Sequence, residues 1–216
     1  MPPGGLAKTA EEALAIANRV GFPVALKAQS ADLPHKTDAG GVALNLRNAA
    51  ELAAAWDAVR QAVAASNPGL TLDGLLVEAM GRPGVELIAG ARRDPEWGPV
   101  LLAGFGGVLA EAFHDTRLLP SDVSQEEIAQ ALLGMKSGSL LRGLRGAPEM
   151  DVKAAADVIW KLGRLVDAAP TIREIEINPL IVYPRGQGAV AIDALIVVEA
   201  ASPIGESTSV PADSTG

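Results

Sequence analysis

The chain contains no cysteine. Disulfides, thiol nucleophiles and thiolate metal sites are therefore excluded, and a reducing compartment, the cytoplasm, is the expected location. Aromatic residues are only 3% of the total, so a core must be assembled from the Ala, Val, Leu and Ile that dominate the 49% hydrophobic content. Two histidines leave few places for imidazole chemistry. Positive charge is in deficit: 18 Lys and Arg against 26 Asp and Glu give a formal net charge of −8. That balance disfavours nucleic acid or an anionic membrane surface as the main partner, while leaving room for a local basic pocket. No apolar run approaches membrane-spanning length, and the start MPPGGLAKTAEEA lacks a basic stretch leading into an apolar one. Neither a membrane span nor a signal peptide is expected. The 216 residues suffice for one large domain or two smaller lobes with real cores.

What is present reads as an α/β chain. Thr9-x-x-Glu12 is a capping-box pattern and opens an alanine-rich helix that stops at Gly21. PVALKAQ (23–29) predicts a strand, SADLPHKTDAGGV (30–42) a loop, and VALNL a second strand. Asn48 caps a long helix through Ala65, with Trp56, Val59 and Val63 at helical spacing on its core side. Three apolar segments, 72–80, 84–94 and 98–107, are separated by Gly/Pro turns and predict an antiparallel meander in a second lobe. Helices follow at about 124–133 and 151–167, then strands at 174–184 and 189–198. From Ala201 to Gly216 the Ser, Pro, Thr and Gly content predicts disorder.

The chemistry gathers around EIEINPLIVYP (174–184) and the acid it leads to. Strand alternation places Glu174, Glu176 and Asn178 on one face and Ile175 and Ile177 on the other. Pro179 has no N–H for a ladder, so pairing should loosen where the polar face ends. Asp193 is the lone carboxylate of the next strand, and such a group must be paired, protonated or bound to a cation if buried. Glu176, Asn178 and Asp193 thus form either an oxygen-only site suited to Mg²⁺ or the solvated acids of a hairpin. Lys27, alone in an apolar strand, is either a snorkelling edge lysine or a cation aimed at phosphate oxygens. Glu78, Ala79 and Met80 precede the crossover between lobes, where backbone groups can grip a flat ligand. Glu86 reaches the same crevice or is an ordinary strand acid. Gly104 to Gly107 makes a turn or an anion nest. Arg117 either pairs with Asp115 to hold a turn or contacts phosphate, and Arg142 and Arg145 form a solvated basic loop or a receptor for an anionic partner. His35 is an exposed loop histidine or a nucleophile able to carry a phosphoryl group, with Gly40 and Gly41 after it to let the loop move.

Five stretches, GFPVALKAQSADLPHKTDAGGV (21–42), LLVEAMGRPGVELIAGARRDPEWGPV (75–100), GFGGVLAE (104–111), LLRGLRGAPEMD (140–151) and REIEINPL…AIDALIV (173–197), occur in the order of one family. Together they resemble the ATP-grasp, β-subunit-type domain of the ADP-forming acyl-CoA synthetases, the acetate type above all, related to the succinyl-CoA synthetase β subunit. The resemblance implies an ATP-grasp fold of two lobes gripping nucleotide: 1–74 with the histidine loop 30–42, and 75–200 with the Mg²⁺ and ATP site. It implies ATP + carboxylic acid + CoA giving acyl-CoA + ADP + phosphate through a phosphohistidine relay. By the same match Lys27 contacts ATP phosphates, Glu78, Ala79 and Met80 hold adenine and ribose, and Asn178 and Asp193 hold Mg²⁺. Glu176 steadies the phosphohistidine or the metal, and His35 is a phosphoryl carrier. Family members have a further helix and strand before the first helix here, so the first lobe is expected to be truncated or completed by a partner. A CoA-binding and ligase (α-type) partner, bringing the acid and CoA, is implied because the chain has neither part. The alternative is a catalytically incomplete ATP-grasp module that binds nucleotide or a partner protein.

Overall fold

Alternation along β2 (Val24–Gln29) organises the first half of the molecule. Val24, Leu26 and Ala28 are fully buried on one face, where the helices α1 (Ala10–Val20) and α2 (Ala49–Ser66) pack. Residues 25, 27 and 29 therefore face the other way. The computed structural model describes residues 1–33, 36–107 and 115–199, and in it β2 is the third strand of a four-stranded antiparallel sheet. The order is β1 (Gly4–Ala7), β4 (Gly74–Ala79), β2, β3 (Val42–Leu46). Both helices start where the sequence places a cap. Thr9 Oγ1 accepts from the Glu12 N–H at 3.2 Å and Asn48 Oδ1 from the Glu51 N–H at 3.0 Å. The reciprocal half of the first box goes one residue further back, because the Glu12 carboxylate accepts from Lys8 N–H. Trp56, Val59 and Val63 are buried as their spacing requires.

Two strands depart from the sequence reading. The segment GGLA at the start forms β1, paired with β4, although four residues with two glycines carry no periodic signal. β4 joins the first sheet between β1 and β2, so the meander expected from Leu72 loses its first strand. Leu75 and Val77 supply the reason: they complete the apolar face under α1 and α2. The chain passes to the second sheet between Ala79 and Val85.

The second sheet runs β10 (Ala194–Val198), β8 (Ile172–Val182), β5 (Val85–Asp94), β6 (Gly98–Phe105), β7 (Thr116–Pro120), with β9 (Ala189–Ala191) also on β8. Helices α3 (Gln125–Leu133) and α4 (Val152–Ala168) cover one face, and Leu87, Leu101, Phe105, Leu132, Ile159 and Ile175 are among the buried residues between. Ser124 closes a complete capping box with Glu127 at the head of α3. β8 loosens at Pro179 as expected, and the form this takes is a bulge. Leu87 faces Leu180 and Ala89 faces Ile177, so Asn178 and Pro179 together oppose the single residue Ile88. A bulge is where a strand tolerates a residue without an N–H, and it also re-aims the side chain beside it. The single strand expected over 189–198 is broken into β9 and β10 at Ile192 and Asp193, across from that bulge.

The buried carboxylate of Asp115 ties β7 to the end of α3, accepting from the Ser137 and Lys136 N–H groups at 2.7 and 3.3 Å. Burial pushes its pKa up, but the hydrogen bonds from Ser137 and Lys136 outweigh that and hold it below the usual range. A carboxylate with a lowered folded-state pKa contributes stability that is fully present above the unfolded value and is lost as pH falls through the folded one. In urea titrations, Asp115→Asn should therefore flatten the loss of wild-type stability below about pH 4. An unchanged acid limb would assign that loss to other carboxylates.

Candidate functional site

Lys27 and Glu78 come together by register. Ala25 faces Glu78 across β2 and β4, so Lys27, two residues on, is the diagonal neighbour of Glu78 on the face away from the helices. Both are buried, Lys27 at 4% and Glu78 at 3% exposure. Lys27 is thus no edge lysine. Its ammonium lies 2.9 Å from Glu78 Oε2, yet off the line of a hydrogen bond, so that oxygen has a charge partner without a hydrogen-bonded one. The well-directed bond of Lys27 Nζ runs 2.7 Å to the carbonyl of Ile192, in the break between β9 and β10.

Ile192 and Asp193 form the corner where the sheets meet. Asn178 N–H donates to Asp193 O at 3.1 Å, and Ile192 N–H to Pro179 O at 3.0 Å, holding the corner against the bulge. Gly81, in the crossover, fits against it because a Cβ there would stand 2.9 Å from Ile192 Cδ1. The strand expectation that Asn178 and Asp193 are neighbours holds, and Asn178 Nδ2 also donates to Glu176 Oε1 at 3.2 Å. Asp193 does have the partner a lone carboxylate needs. Lys36 Nζ sits 2.8 and 3.0 Å from its two oxygens. Sequence reasoning missed Lys36. The available signal was its place beside His35 in a loop facing an acid in want of a cation, but the pair is 157 residues apart. Gln29, Lys36, Asp38, Glu176, Asn178 and Asp193 line one cleft of about 660 Å³.

The crossover offers acceptors. The N–H groups of Ala79 and Met80 donate to the carbonyls of Pro3 and Pro23 at 3.0 and 3.2 Å. Neither proline has an N–H to return, so the Ala79 and Met80 carbonyls lack the reciprocal ladder bond and are the groups this crossover can present to a ligand. Glu86 is exposed, its carboxylate against the Cα of Gly107, where a Cβ would meet Oε2 at 2.6 Å. Gly106 N–H is already given to Glu86 O at 2.8 Å and Phe105 N–H to Asp115 O at 3.1 Å, so these two groups of the expected nest bind protein. Arg117 is not brought to the cleft. It faces Ala103, a residue of the helix-side core, and donates to Gly134 O at 2.9 Å, so it and Asp115 each hold the segment after α3 rather than one another. Arg142 likewise donates to Leu133 O. His35 and His114 lie outside the described residues, as does the segment beyond 199.

A hard divalent cation suits the donor chemistry at the corner. Asp193, Asn178 and Glu176 offer oxygens only, and the Lys36 ammonium marks a place already favourable to positive charge. Among the described residues no three His, Cys, Asp or Glu side chains cluster as a metal cage. A cation here would complete its shell with water and phosphate, the habit of Mg²⁺. Lys27→Met strands the buried Glu78 carboxylate and should destabilise the fold by about 3–5 kcal/mol. Adding Glu78→Gln should recover part of that loss. Chemical unfolding of the two single variants and the double variant measures it, and strictly additive losses would mean that the pair is not coupled.

Residues 1–198 match the family model described as an ATP-grasp domain. Trans-feruloyl-CoA synthase from an unknown prokaryotic organism is 46% identical over 198 residues, which are 92% of this chain and 28% of that protein. The beta subunit of the ADP-forming acetate–CoA ligase II of Pyrococcus furiosus is 34% identical over 92% of this chain and 85% of its own. The chain thus spans little more than a quarter of the one relative and most of the other. Among solved structures, acetyl-coenzyme A synthetase 1 of Candidatus Korarchaeum cryptofilum, in complex with coenzyme A and Ca-AMPCP, superposes with TM-score 0.84 at 36% identity, covering 92% of this chain and 86% of that one. The same protein with Mg-AMPPCP, its phosphohistidine segment pointing towards the nucleotide binding site, gives 0.73 at 33% identity over 92% and 85%. With two sheets meeting at a polar cleft, and a match over nearly its whole described length, the chain belongs to the ATP-grasp domain family, in the branch of the ADP-forming acyl-CoA ligases.

Proposed function

We propose that the chain is the ATP-binding domain or subunit of a cytoplasmic ADP-forming acyl-CoA synthetase, moving a phosphoryl group between ATP and a histidine relay while a CoA-binding, ligase-type partner forms the acyl-CoA. The observation that carries this is the cleft in which Lys36, Glu176, Asn178 and Asp193 converge from both sheets. Adenine lies against the crossover, where the Ala79 and Met80 N–H groups are already given to protein carbonyls. Its exocyclic amine instead donates to the Ala79 or Met80 carbonyl, and the phosphates extend toward Asp193. Lys27, fixed by Glu78 and the Ile192 carbonyl, supplies positive potential behind that corner. Mg²⁺ bound by Asp193 and Asn178 would neutralise phosphate charge, and Glu176 orients the Asn178 amide through its hydrogen bond. Catalysis is then chiefly positioning and charge neutralisation. His35 stands in the sequence motif of the carrier. Its imidazole nitrogen forms an N–P bond as the bond from the γ-phosphorus to the β,γ-bridging oxygen breaks and ADP leaves, and the reverse returns the group.

Calorimetric titration with Mg·ATP tests the nucleotide site. The wild type should bind, and Asp193→Asn should bind about tenfold or more weakly with an unchanged fold. No heat from the wild type would favour the other reading, a module that binds only a partner protein.

The relay is tested with γ-labelled ATP and an α-type partner bearing the ligase part. The chain alone should consume no ATP in a CoA-dependent manner with short carboxylic acids. His35→Asn should keep Mg·ATP binding but pass no acid-labile, base-stable label to the partner. Transfer at the wild-type rate would make His35 a bystander.

A further inference from the structure

The residue that follows His35 in the chain is the one that crosses to the second sheet. The Lys36 side chain is 12% exposed, the Asp193 carboxylate 36%, and the ammonium engages both carboxylate oxygens. The backbone that launches Lys36 is fixed on its C-terminal side. Gly41 N–H donates to Lys36 O and Ala28 N–H to Gly41 O, each at 2.7 Å, while Gly40 N–H donates to Thr37 O at 3.0 Å. A Cβ on Gly41 would stand 2.8 Å from Lys36 O. One on Gly40, whose φ is +67°, would stand 2.9 Å from Ala62 Cβ on α2. These glycines permit close packing and, at Gly40, a left-handed turn. The turn is clamped, and the free variable is the long side chain of Lys36.

We infer that Lys36 is a positioning residue for the phosphoryl transfer. Its ammonium stays docked on Asp193 until a divalent cation takes that carboxylate. The inference rests on the nucleotide-binding reading of the cleft. Lys36 holds both oxygens of Asp193, and Oδ1 also accepts from the Ala194 N–H at 3.0 Å. A divalent cation coordinating either oxygen at about 2.0–2.1 Å would share it with an ammonium at 2.8 Å, and two positive groups so close repel strongly. Cation and ammonium therefore exchange. The released lysine, one residue from His35, is then a mobile cation in the cleft where phosphate oxygens arrive. The ammonium is thus docked when no metal nucleotide is bound, and freed as a phosphate-seeking charge when one is.

The test reads Lys36 itself. Limited acetylation followed by peptide mass mapping reports how accessible its amine is, with Lys161, whose side chain is 65% exposed, as the internal reference. Saturating Mg²⁺ alone should raise wild-type Lys36 labelling about fivefold, the equilibrium equivalent of a strong exposed ion pair. Asp193→Asn should label at the high rate with or without Mg²⁺. By titration, Lys36→Met should bind Mg²⁺ about fivefold more tightly than wild type, having no ammonium to displace. Lys36 labelling that ignores Mg²⁺ overturns the inference, as does Mg²⁺ affinity that is unchanged or weakened in Lys36→Met. If Lys36→Met fails to fold, the wild-type and Asp193→Asn labelling still decide it. Mg·ATP binding without a labelling response removes the latch and keeps the nucleotide site. A labelling response to Mg²⁺ in a chain that binds no ATP keeps the latch and removes the nucleotide reading.

Discussion

Two lysines from the first half of the chain end on consecutive residues of the corner between β9 and β10. Lys27 reaches the Ile192 carbonyl, and Lys36 reaches the Asp193 carboxylate. Between them they define the contact of the two sheets and the polarity of the cleft. The corner can receive them because β9 and β10 are interrupted there, so its groups are not all spent on a ladder. Its stiffness comes from the opposite strand, where the bulge at Asn178 and Pro179 holds Ile192 and Asp193 through two backbone bonds. A regular strand at this point would have presented alternating side chains instead of a carbonyl and a carboxylate side by side.

The same division of labour recurs in both sheets. Each gives one face to helices and an aliphatic core, and carries charged residues on the other. Leu26 and Val77 lie under α1 and α2 while Lys27 and Glu78, their chain neighbours, face the second sheet. Ile175 and Ile177 lie under the helices of the second lobe while Glu176 and Asn178 line the cleft. Period-two alternation thus couples the stability of each lobe to the chemistry between them, because a register slip in either sheet would bury the charges and expose the core. With few aromatic residues available, the cores depend on many aliphatic contacts, and close-packed glycines such as Gly41 and Gly81 let elements approach.

Glu78 illustrates how charge burial is managed here. Taking a lysine and a glutamate out of water is unfavourable unless other groups complete their bonding. Lys27 has the Ile192 carbonyl, but one oxygen of Glu78 has only the ammonium, poorly aligned. Glu78 is therefore a buried acceptor with spare capacity, beside a crossover where the Ala79 and Met80 carbonyls lack return bonds. Arg117 and the N–H groups of Phe105 and Gly106, by contrast, direct their donors toward protein carbonyls.

Local physics determined much of this protein from the sequence by itself. The caps at Thr9, Asn48 and Ser124 start helices where side-chain oxygens can take the first free N–H groups. The alternation of EIEIN placed Glu176 and Asn178 on the polar face without reference to any other strand. Asp193, a charge in an apolar run, announced a need for a partner. What the tertiary structure alone decided is long-range pairing. No local pattern marks GGLA as a strand, moves β4 into the first sheet, or turns Arg117 toward α3, since each depends on which strand lies alongside. Nor could spacing name Lys36 as the partner of Asp193, or bury Lys27 against Glu78. Coulomb attraction needs only proximity in space, and the fold supplies that proximity by joining residues far apart in the chain.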